Sequence, residues 1–387
     1  MKSLQKYIKL EGDKSIWIVV FFLMLISILV VYSATGGLAY TKFQGDTMHL
    51  ITKHFKSLLA GMVAMYFVHK IPSKYFSRLG QFGFYISIIV LLYTLFFGAS
   101  INDANRWIKI GGQTIQTFDI AKLSIVVFIA RQLIKFKDDL DDLRKVSLHI
   151  FLPLIIICGL IFPANFSTAA IVFASGVLLF YFGGVKFRHL ALLLGSMFSL
   201  AALAILLSIN IPYFQEAFPR SQTWVNRVKN FSNTEDAQLN RDDFHQVVQA
   251  KIAVVNGGIQ GRGPGKSIQR NVLPHPYSDY VYAIIIEEYG LIGGFFVLIL
   301  YLILMVRGKR IFDLARDNFV ALLGVGLSIS LVLQALIHMA VNVDFFPVTG
   351  QTLPLISMGG VSIFFTCLTF GVILSVSKEL NISRITS

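Results

Sequence analysis

Apolar residues in this chain gather into long, nearly continuous runs, without the alternation or one-sided periodicity of a water-soluble domain. Ten such runs recur: Ile16–Tyr32, Ser57–Val68, Phe82–Phe97, Ile120–Ile134, Val146–Ile161, Thr168–Phe182, Leu190–Ile209, Tyr280–Val306, Val320–Val341 and Leu355–Val376. Read as helices, they are segments for a hydrocarbon layer of roughly 30 Å, joined by polar connectors. The expected fold class is therefore all-α, a polytopic membrane protein with about ten transmembrane helices. Residues 1–387 form one membrane domain, and the one large connector, 210–278, lies between helices seven and eight.

Composition supports this reading: 55% of residues are hydrophobic and 14% charged, where a soluble domain carries about a quarter. Basic residues cluster in alternate connectors: Lys2, Lys6, Lys9 and Lys14; Lys70, Lys74 and Arg78; Arg131, Lys135, Lys137, Arg144 and Lys145; Lys186 and Arg188; Arg307, Lys309, Arg310 and Arg316; Lys378 and Arg384. Such residues stay on the cytoplasmic side, so both termini are expected inside and the 210–278 connector outside. The formal net charge of +13 is spent mainly on these connectors, where anionic headgroups favour it. Membrane lipids are expected neighbours, and nucleic acid is not. The first run is longer than the apolar core of a usual signal peptide and is read as a retained anchor. Cys158 and Cys367 lie within runs, at no metal or disulfide spacing, and are read as core residues.

Against this background the polar residues stand out. Asp279 ends the stretch Leu273-Pro274-His275-Pro276-Tyr277-Ser278, where the long connector re-enters an apolar run. An ionisable group there is costly, which points to chemistry or transport before packing. Asp119 and Lys122 are three residues apart at the head of the fourth run, beyond Asn105-Arg106-Trp107-Ile108, and on a helix they share a face. They fit either an ion pair whose lysine snorkels to the headgroups or a cationic wall for an anionic substrate. Glu287 and Glu288 follow Asp279 by about two turns and, being adjacent, point in different directions; capping or pairing competes with catalysis for them.

Within the long connector, Phe244–Val255 has the pattern of a short amphipathic helix that ends at Asn256-Gly257-Gly258. The run Gly261-Arg262-Gly263-Pro264-Gly265-Lys266-Ser267 does not match the nucleotide-binding glycine loop. It reads equally as a turn or as a basic lip meeting a lipid-linked diphosphate. His338, Asn342, Asp344 and the turn Pro347–Pro354 add polar groups on the same side, with His338 read as a core residue. No zinc-spaced cluster and no Ser/His/Asp set appears.

Four segments taken together resemble the SEDS family (shape, elongation, division and sporulation), the membrane glycosyltransferases that include FtsW and RodA. Arg106-Trp107-Ile108 with Gln116–Lys122 is similar to the family's RWI…QPSEFAK segment, and Gln246 and Gln249 match its paired glutamines. Gly261–Gln269 with Leu273–Gly290 resembles its GxGxGxSxQ…LPEAHTDFIFAxxxEELG block, and Thr349–Gly360 (TGQTLPLISMGG) its TGLTLPLLSYGG block. The GRGPGKSIQ form is more FtsW-like than RodA-like. This chain departs from the pattern at Thr117-Phe118-Asp119, at His275 and Tyr277, and at Pro163–Thr168, where an acid is missing.

The resemblance implies a peptidoglycan glycosyltransferase that polymerises lipid II with release of undecaprenyl diphosphate, used for septal wall synthesis in division. It implies Asp279 as the catalytic base. Arg106, Asp119, Lys122, Gln246, Gln249, Lys266, Ser267, Glu287, Glu288, Thr349 and Ser357 are the implied substrate contacts. A divalent cation, Mg²⁺ or Mn²⁺, is expected near the diphosphate, with Asp279 a possible ligand through it. The expected partners are a class B penicillin-binding protein and other division proteins, in the cytoplasmic membrane at the septum. The competing readings are a lipid II flippase, against which the absence of an inverted repeat speaks, and a noncatalytic division scaffold.

Overall fold

The computed structural model describes residues 10–36, 47–101, 104–110, 113–210 and 241–385. Lys2, Lys6 and Lys9, Gly111 and Gly112, and residues 211–240 of the long connector lie outside the described residues. The helices are α1 (Lys14–Ala34), α2 (Thr47–Val68), α3 (Ser73–Phe97), α4 (Thr117–Lys135), α5 (Leu143–Ile161), α6 (Phe166–Phe182), α7 (Phe187–Asn210), α8 (Arg241–Gly257), α9 (Val281–Leu314), α10 (Asn318–Asn342) and α11 (Gly360–Ile385). Six of them, α1, α3, α5, α9, α10 and α11, are long and apolar enough to cross a membrane by length and composition. The predicted runs fall on ten of these helices, and α8 is the amphipathic helix of the connector.

Local chemistry sets the helix ends. Asp13, Asn165 and Asp317 cap α1, α6 and α10 through bonds from the amides of Ser15, Thr168 and Phe319, satisfying donors that no intrahelical carbonyl can reach. Helices pack closely where small residues let them touch: a Cβ on Gly308 would lie 2.4 Å from Ser328 of α10, and one on Gly80 2.4 Å from Val127 of α4. Without a hydrophobic difference between lipid and side chain, such close contact is what holds membrane helices together. At the end where the described chain begins and finishes, Arg307 pairs with Asp13, Lys378 with Glu11, and Lys186 with Asp141.

At that end α3 starts at Ser73, nine residues before the predicted Phe82, and α9 and α11 run past their predicted ends; four further departures from the sequence reading occur at the opposite end. A three-stranded antiparallel sheet, β1 (Ala99–Ile101), β2 (Ala104–Ile110) and β3 (Gln113–Gln116), stands before α4, with Trp107 opposite Gln116 and Ile108 opposite Ile115. Arg106, Trp107 and Ile108 therefore lie on a strand, not at the head of a helix; the β-branched and aromatic residues of 107–110 suit a pleated surface. Second, α2 begins ten residues before the predicted Ser57. Third, Leu355–Gly359 is not helical: Leu355 takes φ +69°, and α11 starts at Gly360.

The fourth departure is in α9, whose Gly290 has φ +71° and ψ −175°, a conformation open essentially to glycine alone. The break frees main-chain groups, and the glycine-rich connector fills them. Arg262 and Gly263 amides donate to the Glu287 and Glu288 carbonyls, both at 2.9 Å, while the Leu291 and Ile292 amides donate to Gly258 and Ile259 at 2.9 and 3.4 Å. Glu288 meets Ser33 in the last turn of α1, and Arg307 meets Asp13 just before its first. The stretch from 291 to 307 thus runs antiparallel to α1, and 281–289 is a separate short helix, so the predicted span Tyr280–Val306 is two elements.

A Cβ at Gly290 would lie 2.1 Å from the Ile259 carbonyl oxygen. Gly290→Ala is expected to lose about 1–3 kcal/mol from backbone strain alone and more from the overlap. Gly159→Ala, where a Cβ meets nothing within 4 Å, is the neutral control. Thermal unfolding of the two variants in detergent checks this: equal midpoints would show that the filled break does not constrain the fold.

Candidate functional site

Helix α2 places two different faces. His49, Thr52, Lys53, Lys56, Ser57 and Ala60 follow helical spacing and line a cavity of about 960 Å³, while Leu50, His54, Leu58 and Met65 face the core, each 4% exposed or less. The rest of the wall comes from Trp107 and Thr114–Gln116 of the sheet, Asp119 and Ile120 of α4, Ser278, Thr352, and Met358–Ser362 with Phe364 and Phe365 at the head of α11. Lys53 and Lys56 are exposed. His49, Lys53 and Lys56 were not among the residues picked out from the sequence: they interrupt an apolar run and so look like connector.

Asp119 and Lys122 do share a face and pair, Lys122 Nζ lying 2.7 Å from Asp119 Oδ1. Lys122 does not snorkel to the surface. Its second bond goes to Gln334 Oε1 of α10 at 3.1 Å, and Gln334 Nε2 donates to the Thr352 carbonyl at 2.8 Å. The lysine thus joins α4, α10 and the 347–359 loop at one point. Asp119 is 4% exposed, and its Oδ2 has no hydrogen-bond partner, which leaves a buried acceptor at the cavity wall.

Asp279 stands one residue before the N-cap of α9, half-buried, beside Ser278, which lines the cavity. Ser278 Oγ donates to Asp279 Oδ1 at 2.8 Å. Two bonds fix the segment carrying it to the 347–359 loop: the Met358 amide donates to the Tyr277 carbonyl at 2.8 Å, and Ser357 Oγ donates to the Ser278 carbonyl at 2.7 Å. The loop is itself anchored: Ser27 Oγ donates to the Ile356 carbonyl at 2.8 Å and contacts His54 Nε2 at 2.9 Å. Across from the carboxylate, a Cβ at Gly350 would come 3.9 Å from Asp279 Oδ2, so Gly350 lies against it. Burial, and then the charge of Asp279, push the Tyr277 phenol above its ordinary range, keeping it a neutral donor.

Of the predicted site residues, Asp119 lines the cavity itself; Lys122 is paired with it, and Asp279 and Ser357 adjoin Ser278, which accepts from Ser357 through its carbonyl and donates to Asp279 through its hydroxyl. Arg106 is described by its backbone alone, on β2 next to Trp107. The remaining predicted contacts do not line the cavity. Glu287, fully buried, accepts from Ser267 Oγ and from the Ile268 and Gln269 amides at 3.1 and 3.2 Å. Glu288, 1% exposed, accepts from Ser33 Oγ, which also takes a 3.0 Å bond from Arg270 Nη1. The two acids do diverge as expected, but toward the glycine-rich turn and α1. Ser267 is spent on Glu287, Lys266 is exposed on the turn, and Gln246 and Gln249 are half-buried on α8. Among the described residues, no group of three or more His, Cys, Asp or Glu side chains could hold a metal ion by itself.

Residues 13–382 match the sequence profile of the FtsW, RodA and SpoVE cell cycle proteins. The chain is 29% identical over 365 residues to a protein of Hahella chejuensis named probable peptidoglycan glycosyltransferase FtsW, covering 92% of this chain and 87% of that protein. It is 27% identical to stage V sporulation protein E of Bacillus subtilis, covering 96% and 98%. In fold it resembles a chain of a peptidoglycan synthase complex described as coordinating polymerization and crosslinking, with a TM-score of 0.73, 21% identity and coverage of 96% and 99%. It also resembles the rod shape determining protein RodA of Thermus thermophilus, with a TM-score of 0.66, 20% identity and coverage of 95% and 97%. With its profile match spanning nearly the whole sequence, the chain belongs to the SEDS family of FtsW, RodA and SpoVE.

Proposed function

We propose that this protein is a peptidoglycan glycosyltransferase that polymerises lipid II during cell division, with Asp279 as its base. The observation that carries the reading is the placement of a half-buried carboxylate, held through its own backbone, beside a large cavity whose α2 wall presents lysines. In the reaction, the 4-hydroxyl of a GlcNAc on one lipid II attacks the anomeric carbon of a MurNAc on another. The new C–O bond forms as the bond from that carbon to the diphosphate oxygen breaks; the hydroxyl proton passes to Asp279 and the electron pair leaves with undecaprenyl diphosphate. A hydroxyl is a weak nucleophile at neutral pH, so a positioned base supplies about 10²–10⁴ in rate.

The leaving diphosphate gathers negative charge, and cations placed where charge develops lower the barrier. Lys53 and Lys56 suit that role by type and position, while Lys122 is held by Asp119. A divalent cation, Mg²⁺ or Mn²⁺, bound chiefly by diphosphate oxygens fits a site with one or two carboxylates and no cage of its own; the unpartnered Asp119 Oδ2 is the side-chain atom best placed to join it. When bound, such an ion would neutralise the leaving group. Toward Ala60, Phe364 and Phe365 the lining turns apolar, which suits a substrate that keeps its polyprenyl tail in the bilayer. At about 960 Å³ the cavity is near the upper end for a single bound ligand, so the second substrate approaches at its edge, where Asp279 stands.

The basic connectors support chain termini in the cytoplasm and a cavity outside, and the FtsW-like character supports work at the septum. A class B penicillin-binding protein is the proposed partner. Supporting it, a structural neighbour is part of a synthase complex, and α9 exposes Leu291, Ile292, Phe295 and Phe296 on its outward face.

Purified protein given fluorescent lipid II and a divalent cation, with and without its partner, should yield glycan ladders on a gel. Asp279→Asn should lower the rate about 10²–10⁴-fold; undiminished polymer from this variant refutes the base assignment, and a ladder unaffected by chelator refutes the cation. Lys53→Ala and Lys56→Ala should each weaken lipid II use by about tenfold, roughly one lost charge-assisted contact. Lys53→Arg should retain most activity. Unchanged kinetics in both alanine variants would remove α2 from the substrate site.

A further inference from the structure

We infer that Asn342 is a positioning residue for Asp279, acting by insertion of its amide into the first turn of α9. This inference rests on the reading of Asp279 as the base. The side chain of Asn342, at the last residue of α10, is 1% exposed. Its Nδ2 donates to the Asp279 carbonyl at 3.0 Å, and its Oδ1 accepts from the Ala283 amide at 3.0 Å. Residues 279 and 283 are the pair that an i→i+4 bond would join had α9 begun one turn earlier. The amide occupies the place of that bond and bridges both halves of it.

Two consequences follow. The Ala283 amide, one of the donors left open at any helix start, is satisfied from another helix, in place of a bond to its own N-cap residue; Tyr280 makes no side-chain cap bond. The helix also cannot extend back through Tyr280, whose φ −119° and ψ 21° lie outside the helical range, and Asp279 stays at the mouth beside the cavity.

Only a side chain with donor and acceptor on one short planar group meets both demands. The second Nδ2 hydrogen goes to the His338 carbonyl at 2.9 Å, so the amide is saturated and its orientation is set by its partners. His338 Nδ1 in turn contacts the Gln351 carbonyl at 2.7 Å, and Gln351 Nε2 donates to Thr168 of α6 at 2.9 Å. Asn342 is thereby tied to the loop that faces Asp279 from the other side.

The test uses the full-length protein in detergent with lipid II, rates being referred to the folded fraction from thermal unfolding. Asn342→Leu keeps the volume and removes both bonds. Asn342→Asp keeps the acceptor for Ala283 and removes the donor to Asp279, and it carries the test should the leucine variant fail to accumulate. Both should lose about 10–100-fold in kcat, the scale of a misplaced catalytic group, with KM within about twofold. Hydrogen exchange at the Ala283 amide should speed up in Asn342→Leu and stay near wild type in Asn342→Asp. Wild-type kcat in both variants while Asp279→Asn is inactive would overturn the positioning role and leave the base assignment standing. A loss that appears in KM alone, or that vanishes once scaled to folded protein, would also overturn it. Full activity of Asp279→Asn would refute the base assignment itself, and with it this inference.

Discussion

Main-chain amides and carbonyls inside an apolar slab have no water to turn to, so every interruption of a helix there must be closed by the protein. This constraint organises the whole site. The break at Gly290 exists because Gly258, Ile259, Arg262 and Gly263 supply the four missing bonds, and the loop before α11 holds its shape through Ser27, Ser357 and Gln334. Irregular backbone is what lets Asp279 sit beside a polar cavity instead of inside a helix wall. The bonds that satisfy that backbone are also those that fix the carboxylate's position, so stability and geometry here are one property.

How far this was legible in the sequence depends on how many residues away the partner lies. Asp119 and Lys122 are three apart on one helix, and the pair could be read from spacing alone. Asp279 was legible as an acid out of place. The start of α2 was not: His49, Lys53, His54 and Lys56 break the apolar run, and only the cavity on one side and Ser27 on the other explain why a helix tolerates them. Gln334, a single amide in an apolar helix, gave no signal, because its meaning comes from Lys122, distant in sequence. The sheet was hidden because its strands are only three to seven residues long. The glycine-rich run read equally as a turn or as a basic lip because it presents amides to the α9 break, which sequence does not display; Gly290, its counterpart, was the available clue.

Glu287 and Glu288 show why acidic residues near a site proposed for an anionic substrate need not serve that substrate. A carboxylate facing the cavity would repel the diphosphate; a carboxylate withdrawn from water must instead be neutralised by donors, and bonds to a charged group are worth about 1.5–3 kcal/mol each. Glu287 collects three donors from residues 267–269, and Glu288 sits where Ser33 and Arg270 converge. Their side chains therefore hold the turn that fills the α9 break and join it to α1. The carboxylates left at the cavity are Asp119, one oxygen of which is already neutralised by Lys122, and Asp279, at its edge. With the lysines of α2 on the remaining wall, the charge of the cavity supports the proposal that it takes a diphosphate and that Asp279 takes the proton.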